Sequence, residues 1–264
     1  MQEAHEDQLI YAVERGVAVL TIHRPERMNA WTPALEARLK ACLARADGDP
    51  QVRCAVITGA GRAFCAGMDM EALQAGAGPG RTESPSDADI DQRYGPLGAF
   101  GKPLIAAING AAAGVGLCIA LYCDLRYVAA GAKLTAPYAR RGLVAEHGIA
   151  WLLPRLVGPM HAADLLVTGR TITGEEAARM GLANLLPAEG FLDAVLERAR
   201  DIAAATSPRS VRIIKRQLME ARYQTLGQAT RIADREIAAC RHTEDFREGV
   251  RHFLEKRPPR FTGN

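Results

Sequence analysis

The chain has 264 residues, of which 48% are hydrophobic and 24% charged, and a formal net charge of +3. Such a composition is typical of a globular protein and excludes the disordered, collagen-like and disulfide-scaffold classes. The length suits one large domain, or one domain with a modest appendage. The six cysteines include no CxxC pair and have no histidines at zinc-finger spacing. We therefore expect a cytoplasmic protein with reduced thiols and no metal site.

Two segments resemble targeting or membrane sequences at first sight. The N-terminal MQEAHEDQLI has no basic region ahead of an apolar stretch, so it does not match a signal or transit peptide. Residues 103–123 carry no charge and have the length of a membrane span. However, Asn109-Gly110 is a turn signal in the middle of that segment. The segment therefore predicts a buried strand, a turn and a buried helix, and no association with a membrane.

The first hundred residues predict a mixture of strands and helices. Thr32 and Pro33 form a helix start, and Leu35, Leu39 and Leu43 then recur on one helix face. In chain order we expect a hairpin over 9–23, a helix to about residue 46, a buried strand over 52–58, a glycine-rich loop over 59–67, a helical turn over 69–74 and a mobile insertion over 75–100.

The rest of the chain begins with strands and continues with helices. A strand over 104–108 and a helix over 115–122 flank the Asn109-Gly110 turn, so strand, glycine turn and helix occur twice. Short strands follow at 125–129 and 134–135. Beyond Pro137 the pattern is mainly helical, with segments near 148–157, 159–167, 174–181, 190–205, 208–222, 226–239 and 243–255.

Glycine-rich loops occur at residues 59–64, 76–80 and 110–116, and none matches a nucleotide-binding motif. The first and third each follow a buried strand and precede a helix. Each therefore presents unpaired backbone N–H groups at a helix start, where an anionic oxygen is stabilised. We expect these two loops to converge on one oxygen.

Five motifs resemble the crotonase superfamily, also called the enoyl-CoA hydratase/isomerase family. They are TIHRPERMNAW at 21–31, AVITGAGRAFCAGMDM at 55–70, KPLIAAINGAAAGVGLCIALYCDLRYVA at 102–129, VTGRTITGEEAARMGLAN at 167–184 and EGVRHFLEKRPPRF at 248–261. The resemblance implies an α/β fold, a crotonase-like spiral of ββα units with a helical C-terminal region. It also implies an acyl-CoA-binding core over 1–200, and a helical region over 201–264 that serves oligomerisation and covers the active site.

The resemblance assigns roles to residues of the glycine loops. It implies that the N–H groups of Met68 and Val115 hold the carbonyl oxygen of a thioester, where each donor is worth about 3 kcal/mol of barrier. The residues that the resemblance places near the substrate are Arg27 for a CoA phosphate, Ala66, Gly67, Asp69 and Met70 along the CoA, Gly114 beside the carbonyl, and Tyr138 in the acyl pocket. Two interpretations of Tyr138 stay open, a hydrogen-bond donor and a packing residue.

The chain departs from the family's hydratases at both of their catalytic glutamates. Cys118 and Tyr138 stand at the matching positions, and neither supplies a carboxylate. Glu146, in RRGLVAEHGIAWLLPRLVG, lies in a segment similar to the one that bears the single catalytic glutamate of the family's 3-enoyl-CoA to 2-enoyl-CoA isomerases. The alternative for Glu146 is a cap on the following helix. His147 either shares its work or is structural.

The resemblance implies an enzyme that stabilises a thioester enolate in an oxyanion hole, as an enoyl-CoA isomerase of fatty acid metabolism. The alternatives are a hydratase with altered acid and base, a non-catalytic acyl-CoA-binding homologue and a nucleic-acid binder suggested by the basic segment 208–217. An aromatic content of 5% and the small net charge disfavour nucleic acid. Cys118 as a nucleophile is disfavoured because no basic partner is evident. No separate cofactor is implied, because CoA arrives with the substrate, and a homotrimer or dimer of trimers is expected.

Overall fold

The structure, a computed structural model, describes residues 8–74 and 92–264. The strands are β1 (Leu9–Glu14), β2 (Val17–Ile22), β3 (Cys54–Gly59), β4 (Ala63–Cys65), β5 (Leu104–Ile108), β6 (Ala111–Ala113), β7 (Leu125–Ala129), β8 (Lys133–Thr135), β9 (Thr171–Thr173) and β10 (Asn184–Leu186). The helices are α1 (Pro33–Gly48), α2 (Met70–Gln74), α3 (Gly95–Ala99), α4 (Val115–Tyr122), α5 (Ile149–Thr168), α6 (Gly174–Arg179), α7 (Phe191–Ala205), α8 (Pro208–Glu220), α9 (Leu226–Cys240) and α10 (Glu244–Glu255).

From β3 to β8, successive strands alternate between two sheets. One sheet has the order β1-β2-β3-β5-β7-β10 and the other the order β4-β6-β8-β9. The β1–β2 hairpin is antiparallel, and the strands that follow it in the first sheet are parallel. The successions β3, β4, α2 and β5, β6, α4 thus each add one strand to each sheet before a helix. This topology confirms the predicted α/β spiral of ββα units.

The local sequence explains the first elements. The side-chain oxygen of Thr32 accepts a hydrogen bond from the N–H of Leu35, and Pro33 occupies the first turn, so α1 begins where the cap predicts. Its apolar face is buried. Strands β3 and β5 are buried along their whole length. Continuous apolar strands of this kind require cover on both faces, which is typical of parallel sheets.

Several element bounds differ from those predicted. Strands β4 and β6 lie inside the glycine-rich loops, and β9 and β10 lie in the region predicted as helical, because three-residue strands are too short to show a periodicity. The two helices predicted around residue 158 form α5, which is interrupted by non-helical backbone at Gly158. Of the predicted insertion over 75–100, residues 75–91 lie outside the described residues, and α3 falls in the remainder.

The segment 103–123 forms β5, a turn, β6 and α4, which confirms the prediction of a buried strand, turn and helix. Throughout residues 8–74 and 92–264, no helix combines the length and the apolar character needed to cross a membrane. All six cysteines are free thiols.

Helix α8 packs back onto the spiral through a buried lysine. The ammonium of Lys215 donates to the Asp124 carboxylate at 2.8 Å and to the backbone oxygen of Lys102 at 3.1 Å. A neighbouring basic residue, Arg216, pairs with Glu236 of α9. The basic segment 208–217 is therefore partly engaged in ion pairs within the fold. The predicted boundary between residues 200 and 201 falls inside α7, which packs against β2, β3 and β5.

Candidate active site

Two glycine turns lie side by side at the ends of parallel strands. Strand β4 pairs with β6 through Ala63↔Ala111 and Cys65↔Ala112, so the turns that follow these strands emerge at the same edge. A Cβ atom on Gly116 would lie 2.2 Å from the carbonyl oxygen of Cys65. Only glycine allows this approach of the first turn of α4 to the end of β4. The structure thus places the two loops next to each other, and their convergence on one oxygen stays a prediction.

The N–H group of Met68 is left free by its neighbours. The Trp31 N–H donates to the carbonyl of Gly67 at 2.8 Å, and the Asp69 N–H donates to the carbonyl of Trp31 at 2.9 Å. Because Trp31 bonds to the residues on either side, the N–H of Met68 itself points away from Trp31. Gly67 has φ +105°, which strains any other residue, and this conformation forms the turn.

The N–H group of Val115 is free for a different reason. Val115 is the first residue of α4, and the N–H of Cys118 is the first to bond back within that helix, to Gly114 at 2.9 Å. The first N–H groups of a helix lack intrahelical acceptors and carry its positive dipole end. Within the described parts of the chain, neither Met68 nor Val115 has a backbone acceptor for its N–H. The structure therefore offers two free donors on adjacent turns.

The carboxylate of Asp69 holds the first turn in place. It accepts a hydrogen bond from Arg24 at 3.0 Å and another from the N–H of Glu71 at 3.0 Å. Burial opposes its ionisation, but the hydrogen bonds from Arg24 and from backbone N–H groups outweigh burial and lower the pKa of Asp69. Its side chain is thus committed to the protein, as are its N–H, which donates to Trp31, and its carbonyl, which accepts from Leu73, so Asp69 supports the turn.

The other residues predicted to line the CoA surround the same turns. The N–H of Ala66 donates to Met28 at 3.1 Å, and the N–H of Gly114 donates to Thr135 at 3.1 Å. Met70 begins α2 and is 59% exposed. The exposed guanidinium of Arg27 pairs with the carboxylate of Glu71, also exposed, at 3.0 Å. A phosphate at Arg27 would therefore compete with Glu71.

The Glu146 carboxylate acts electrostatically on two buried groups, the thiol of Cys118 and the hydroxyl of Tyr138. Burial, and then the charge of Glu146, raise the pKa of the Cys118 thiol to about 12, so the thiol is protonated at neutral pH. Burial raises the pKa of Tyr138, and Cys118 and Glu146 add to this rise. Both groups therefore lie within electrostatic range of the Glu146 carboxylate. A buried, protonated thiol is a poor nucleophile, which supports the expectation that Cys118 is not one.

Glu146 lies in the loop between the 3₁₀ turn at 139–141 and α5. Its side chain is 41% exposed, and one carboxylate oxygen lies 3.4 Å from Nε2 of His147. The residue that caps α5 is Gly148, which has no side chain to accept a hydrogen bond. The backbone carbonyl of Glu146 accepts from the N–H of Ile149, the first residue of α5, at 3.1 Å, so Glu146 contacts the helix start through its main chain.

The backbone of His147 is anchored to α4. Its carbonyl oxygen accepts from the hydroxyl of Tyr122 at 2.9 Å and from the thiol of Cys118 at 3.4 Å. Its ring meets Tyr94 edge-on, with ring centroids 5.2 Å apart. His147 has φ +58°, a conformation that costs free energy for a side-chain-bearing residue and needs such support. The hydrogen bonds of His147 thus fix the backbone next to Glu146 against α4.

A buried ion pair beside the first turn was not predicted from the sequence. Glu36 of α1 accepts hydrogen bonds from Arg93, from Lys40 at 2.8 Å and from the hydroxyl of Tyr94 at 3.1 Å. Burial opposes its ionisation, but hydrogen bonds from Arg93 and Lys40 outweigh burial and lower its pKa to about 2. Its carboxylate also accepts from Nε1 of Trp31 at 3.4 Å. The ion pair thus supports Trp31, whose main chain forms hydrogen bonds on both sides of Met68.

A cavity of about 410 Å³ lies behind α4. It borders Gly148 and Tyr122, and helix α8 closes it with Ile214 and Leu218. Its lining does not include Met68, Val115 or Glu146, so it is a neighbour of the site described above. Among the described residues, no group of three or more His, Cys, Asp or Glu side chains is arranged to hold a metal ion.

The sequence matches one protein family and is similar to several of its relatives. A family model described as enoyl-CoA hydratase/isomerase matches residues 12–264. A 1,2-epoxyphenylacetyl-CoA isomerase of Escherichia coli is 34% identical over 257 residues, which cover 95% of this chain and 97% of that protein. A probable enoyl-CoA hydratase of Mycobacterium tuberculosis is 40% identical over 218 residues, which cover 83% of each chain.

Solved structures share the fold. The crystal structure of a probable enoyl-CoA hydratase/isomerase from Mycobacterium abscessus has a TM-score of 0.88 and 36% identity, covering 97% of this chain and 99% of that one. An enoyl-CoA hydratase from Mycobacterium tuberculosis H37Rv also has a TM-score of 0.88, with 30% identity and coverage of 98% and 100%. These similarities confirm the crotonase-like fold that the motifs predicted.

Proposed function

This chain belongs to the enoyl-CoA hydratase/isomerase family, and from that premise we propose that it converts 3-enoyl-CoA to 2-enoyl-CoA thioesters with Glu146 as the proton carrier. The supporting observation is the arrangement of carboxylates. Glu36 and Asp69 are buried and paired with Arg93 and Arg24, whereas Glu146 is partly exposed in a loop that is anchored to α4 through the backbone of His147. Glu146 is therefore the carboxylate best placed to exchange a proton with a substrate.

The free N–H groups of Met68 and Val115 would bind the thioester carbonyl oxygen. Removal of a proton from carbon 2 moves negative charge onto that oxygen, and two fixed donors stabilise this charge without reorganising. The carboxylate of Glu146 takes the proton from carbon 2, and the negative charge of the resulting dienolate is delocalised as far as carbon 4. The same carboxylic acid then returns the proton to carbon 4, which leaves the double bond between carbons 2 and 3. One carboxylate can therefore both remove and return the proton that the reaction moves.

Hydration of a 2-enoyl thioester is the second candidate, and the closeness of His147 to Glu146 favours it. That reaction needs one group to activate water and another to deliver a proton to carbon 2. Cys118 is protonated and Tyr138 is buried, so neither replaces a missing carboxylate. His147, 3.4 Å from Glu146, would have to act as the second group. The relatives bear both kinds of name, isomerase and hydratase, and leave the two reactions to experiment.

The remaining features of the proposal concern binding and assembly. CoA would follow the first turn past Ala66, Gly67 and Met70, with a phosphate near Arg27. The carbonyl would lie by Gly114, and the reaction would need no cofactor beyond the substrate. We further propose a role in fatty acid metabolism in the cytoplasm, and a trimer or dimer of trimers in which the helical region 201–264 serves assembly and covers the site.

A paired ultraviolet assay tests the proposal. The purified protein is offered 3-hexenoyl-CoA in one cuvette and trans-2-hexenoyl-CoA in the other, and conjugation of the thioester is followed by absorbance. We expect a rise with the first substrate and little change with the second. A rapid fall with the second would instead establish hydration. No change in either cuvette, together with binding of both thioesters, would overturn the proposal in favour of a different reaction or a non-catalytic protein.

A further inference from the structure

Two buried donors near Glu146 have no hydrogen-bond partner. The hydroxyl of Tyr138, a residue 5% exposed, donates to nothing, and neither does Nη1 of Arg93, whose side chain is 9% exposed. A buried polar group without a partner lowers stability, so a fold keeps one only where another gain offsets the loss. Their hydrogen bonds are not supplied by the part of the chain that the structure describes.

The two donors adjoin the same part of the site. The charge of Arg93 acts on both Cys118 and Glu146, and the hydroxyl of Tyr138 is likewise within range of both. Arg93 is followed by Tyr94, whose ring contacts His147. The two unpartnered donors therefore both lie within electrostatic range of the Cys118 thiol and the Glu146 carboxylate, in the region where we expect the acyl chain of a bound thioester.

Among the described residues, Nη1 is the nitrogen of Arg93 that has no hydrogen-bond partner. Its Nε and Nη2 both donate to Glu36, with Nε 2.8 Å from Oε2, so the pair is bidentate. This leaves Nη1 as a donor on a guanidinium that is held rigidly. A rigid donor loses little entropy when it binds an acceptor, which makes it effective for selecting a substrate.

Resting on the isomerase proposal above, we propose that Tyr138 and Arg93 select acyl chains that carry a neutral oxygen acceptor, such as a carbonyl or ether oxygen, beyond carbon 3. Such an oxygen would accept from the Tyr138 hydroxyl and from Nη1 of Arg93. A purely aliphatic chain would leave both donors unsatisfied, and this penalty discriminates against it.

The charges favour a neutral group over a carboxylate. Glu36 is shared between Arg93 and Lys40, and the extra positive charge of the three groups rests on Lys40, which is partly exposed and screened by water. The charge of Glu146 acts on Arg93. A second carboxylate on the substrate would therefore be repelled by Glu146 and would find only a screened positive charge to compensate it. A ketone accepts the same hydrogen bonds and adds no charge.

Binding of three saturated thioesters of matched shape tests this inference without turnover. They are 5-oxohexanoyl-CoA with a neutral oxygen, 5-methylhexanoyl-CoA with none, and glutaryl-CoA with a carboxylate, each measured by isothermal titration calorimetry. We expect the ketone to bind about tenfold more tightly than its methyl analogue, in keeping with one to two hydrogen bonds. The carboxylate should bind more weakly than the ketone.

Tyr138→Phe and Arg93→Lys should each reduce the ketone preference to threefold or less. Tyr11→Phe is the matched control, because it removes another buried and unpartnered hydroxyl, on β1, and should leave the preference unchanged. Tyr138→Phe should not lower the Tm of the ligand-free protein, since it removes an unsatisfied group. That result separates the effect on binding from a folding defect.

Equal binding of the ketone and its methyl analogue would overturn the inference. A preference that survives in both variants would overturn it as well, and so would the failure of all three thioesters to bind. The isomerase proposal is judged separately by the conjugation assay with 3-hexenoyl-CoA. Absence of isomerisation together with a Tyr138-dependent ketone preference would reject the reaction and retain the subsite.

Discussion

Trp31 forms hydrogen bonds to the main chain on both sides of Met68, at 2.8 Å to Gly67 and 2.9 Å from Asp69. This bridge turns the N–H of Met68 away from the protein, and it depends on a tryptophan that is completely buried. The indole in turn donates to Glu36, which is held by Arg93 and Lys40. The orientation of the Met68 N–H thus depends on Glu36, a carboxylate that takes no part in the proposed reaction.

Glu36→Gln should therefore destabilise the protein. The substitution leaves Arg93 buried without a counter-charge, and breaking a buried pair in this way costs about 3 kcal/mol, the lower end of the usual range, because Lys40 is partly exposed. Urea denaturation at pH 7 measures the free energy of unfolding. Glu189→Gln, in an exposed loop, is the control and should change it by less than about 0.5 kcal/mol. A Glu36→Gln protein as stable as the wild type would contradict the role of this pair.

The same carboxylate predicts how stability depends on pH. The pKa of Glu36 is about 2 in the folded chain against an ordinary value of 4.5, so its ionised form stabilises the fold. That contribution is complete above about pH 4.5 and is lost as the pH falls through 4.5 towards 2. The difference in unfolding free energy between wild type and Glu36→Gln should therefore be constant above pH 5 and shrink below it. Urea titrations at pH 6, 4 and 3 measure this difference, and a gap that widens on acidification would be inconsistent with it.

Gly116→Ala should disable the site. The new methyl group would lie 2.2 Å from the Cys65 carbonyl oxygen, so α4 must shift away from the turn that carries Met68. Because separation of the two donors removes at least one of them from the oxyanion, we expect kcat/KM to fall by about a hundredfold or more. Steady-state isomerisation of 3-hexenoyl-CoA is the measurement.

Gly48→Ala provides the comparison for that variant. A methyl group there meets nothing within 4 Å, at the end of α1. It should leave kcat/KM unchanged and keep or raise stability, since alanine favours helix more than glycine does. Full activity of Gly116→Ala would mean that the two turns do not act together.

Cys118→Ala should retain activity. The thiol is buried, its pKa is raised to about 12, and it donates weakly to the carbonyl of His147. A protonated group that takes no part in proton transfer can be removed at little kinetic cost, so we expect kcat/KM within about threefold of the wild type in the same isomerase assay. A loss of a hundredfold, with the Tm preserved, would instead assign Cys118 a chemical role.

Local sequence signals were sufficient for the main elements of the fold. Each signal comes from residues that are adjacent in the sequence. They are the cap formed by Thr32 and Pro33, the apolar runs of β3 and β5, and the turn at Asn109-Gly110. The short strands β4 and β6 were missed for the opposite reason. Their pairing is set by the neighbouring strand and not by their own periodicity.

Parts of the candidate site could not be read from the sequence because they join distant segments. Glu36 and Arg93 are separated by 57 positions, and nothing in either local pattern marks them as partners. The burial of Tyr138 and its lack of a hydrogen-bond partner depend on the whole surrounding structure. By contrast, Met68, Val115 and Glu146 were proposed from motifs, and the structure brings their segments to one place.

Replacement of Glu146 by glutamine tests whether this carboxylate carries the proton between carbons 2 and 4. Glutamine keeps the size and polarity of the side chain but cannot carry a proton between carbons 2 and 4. We predict that Glu146→Gln lowers kcat for 3-hexenoyl-CoA by about a thousandfold, while the Kd of saturated hexanoyl-CoA stays within threefold of the wild type. Turnover within tenfold of the wild type would show that another group moves the proton and would contradict the account.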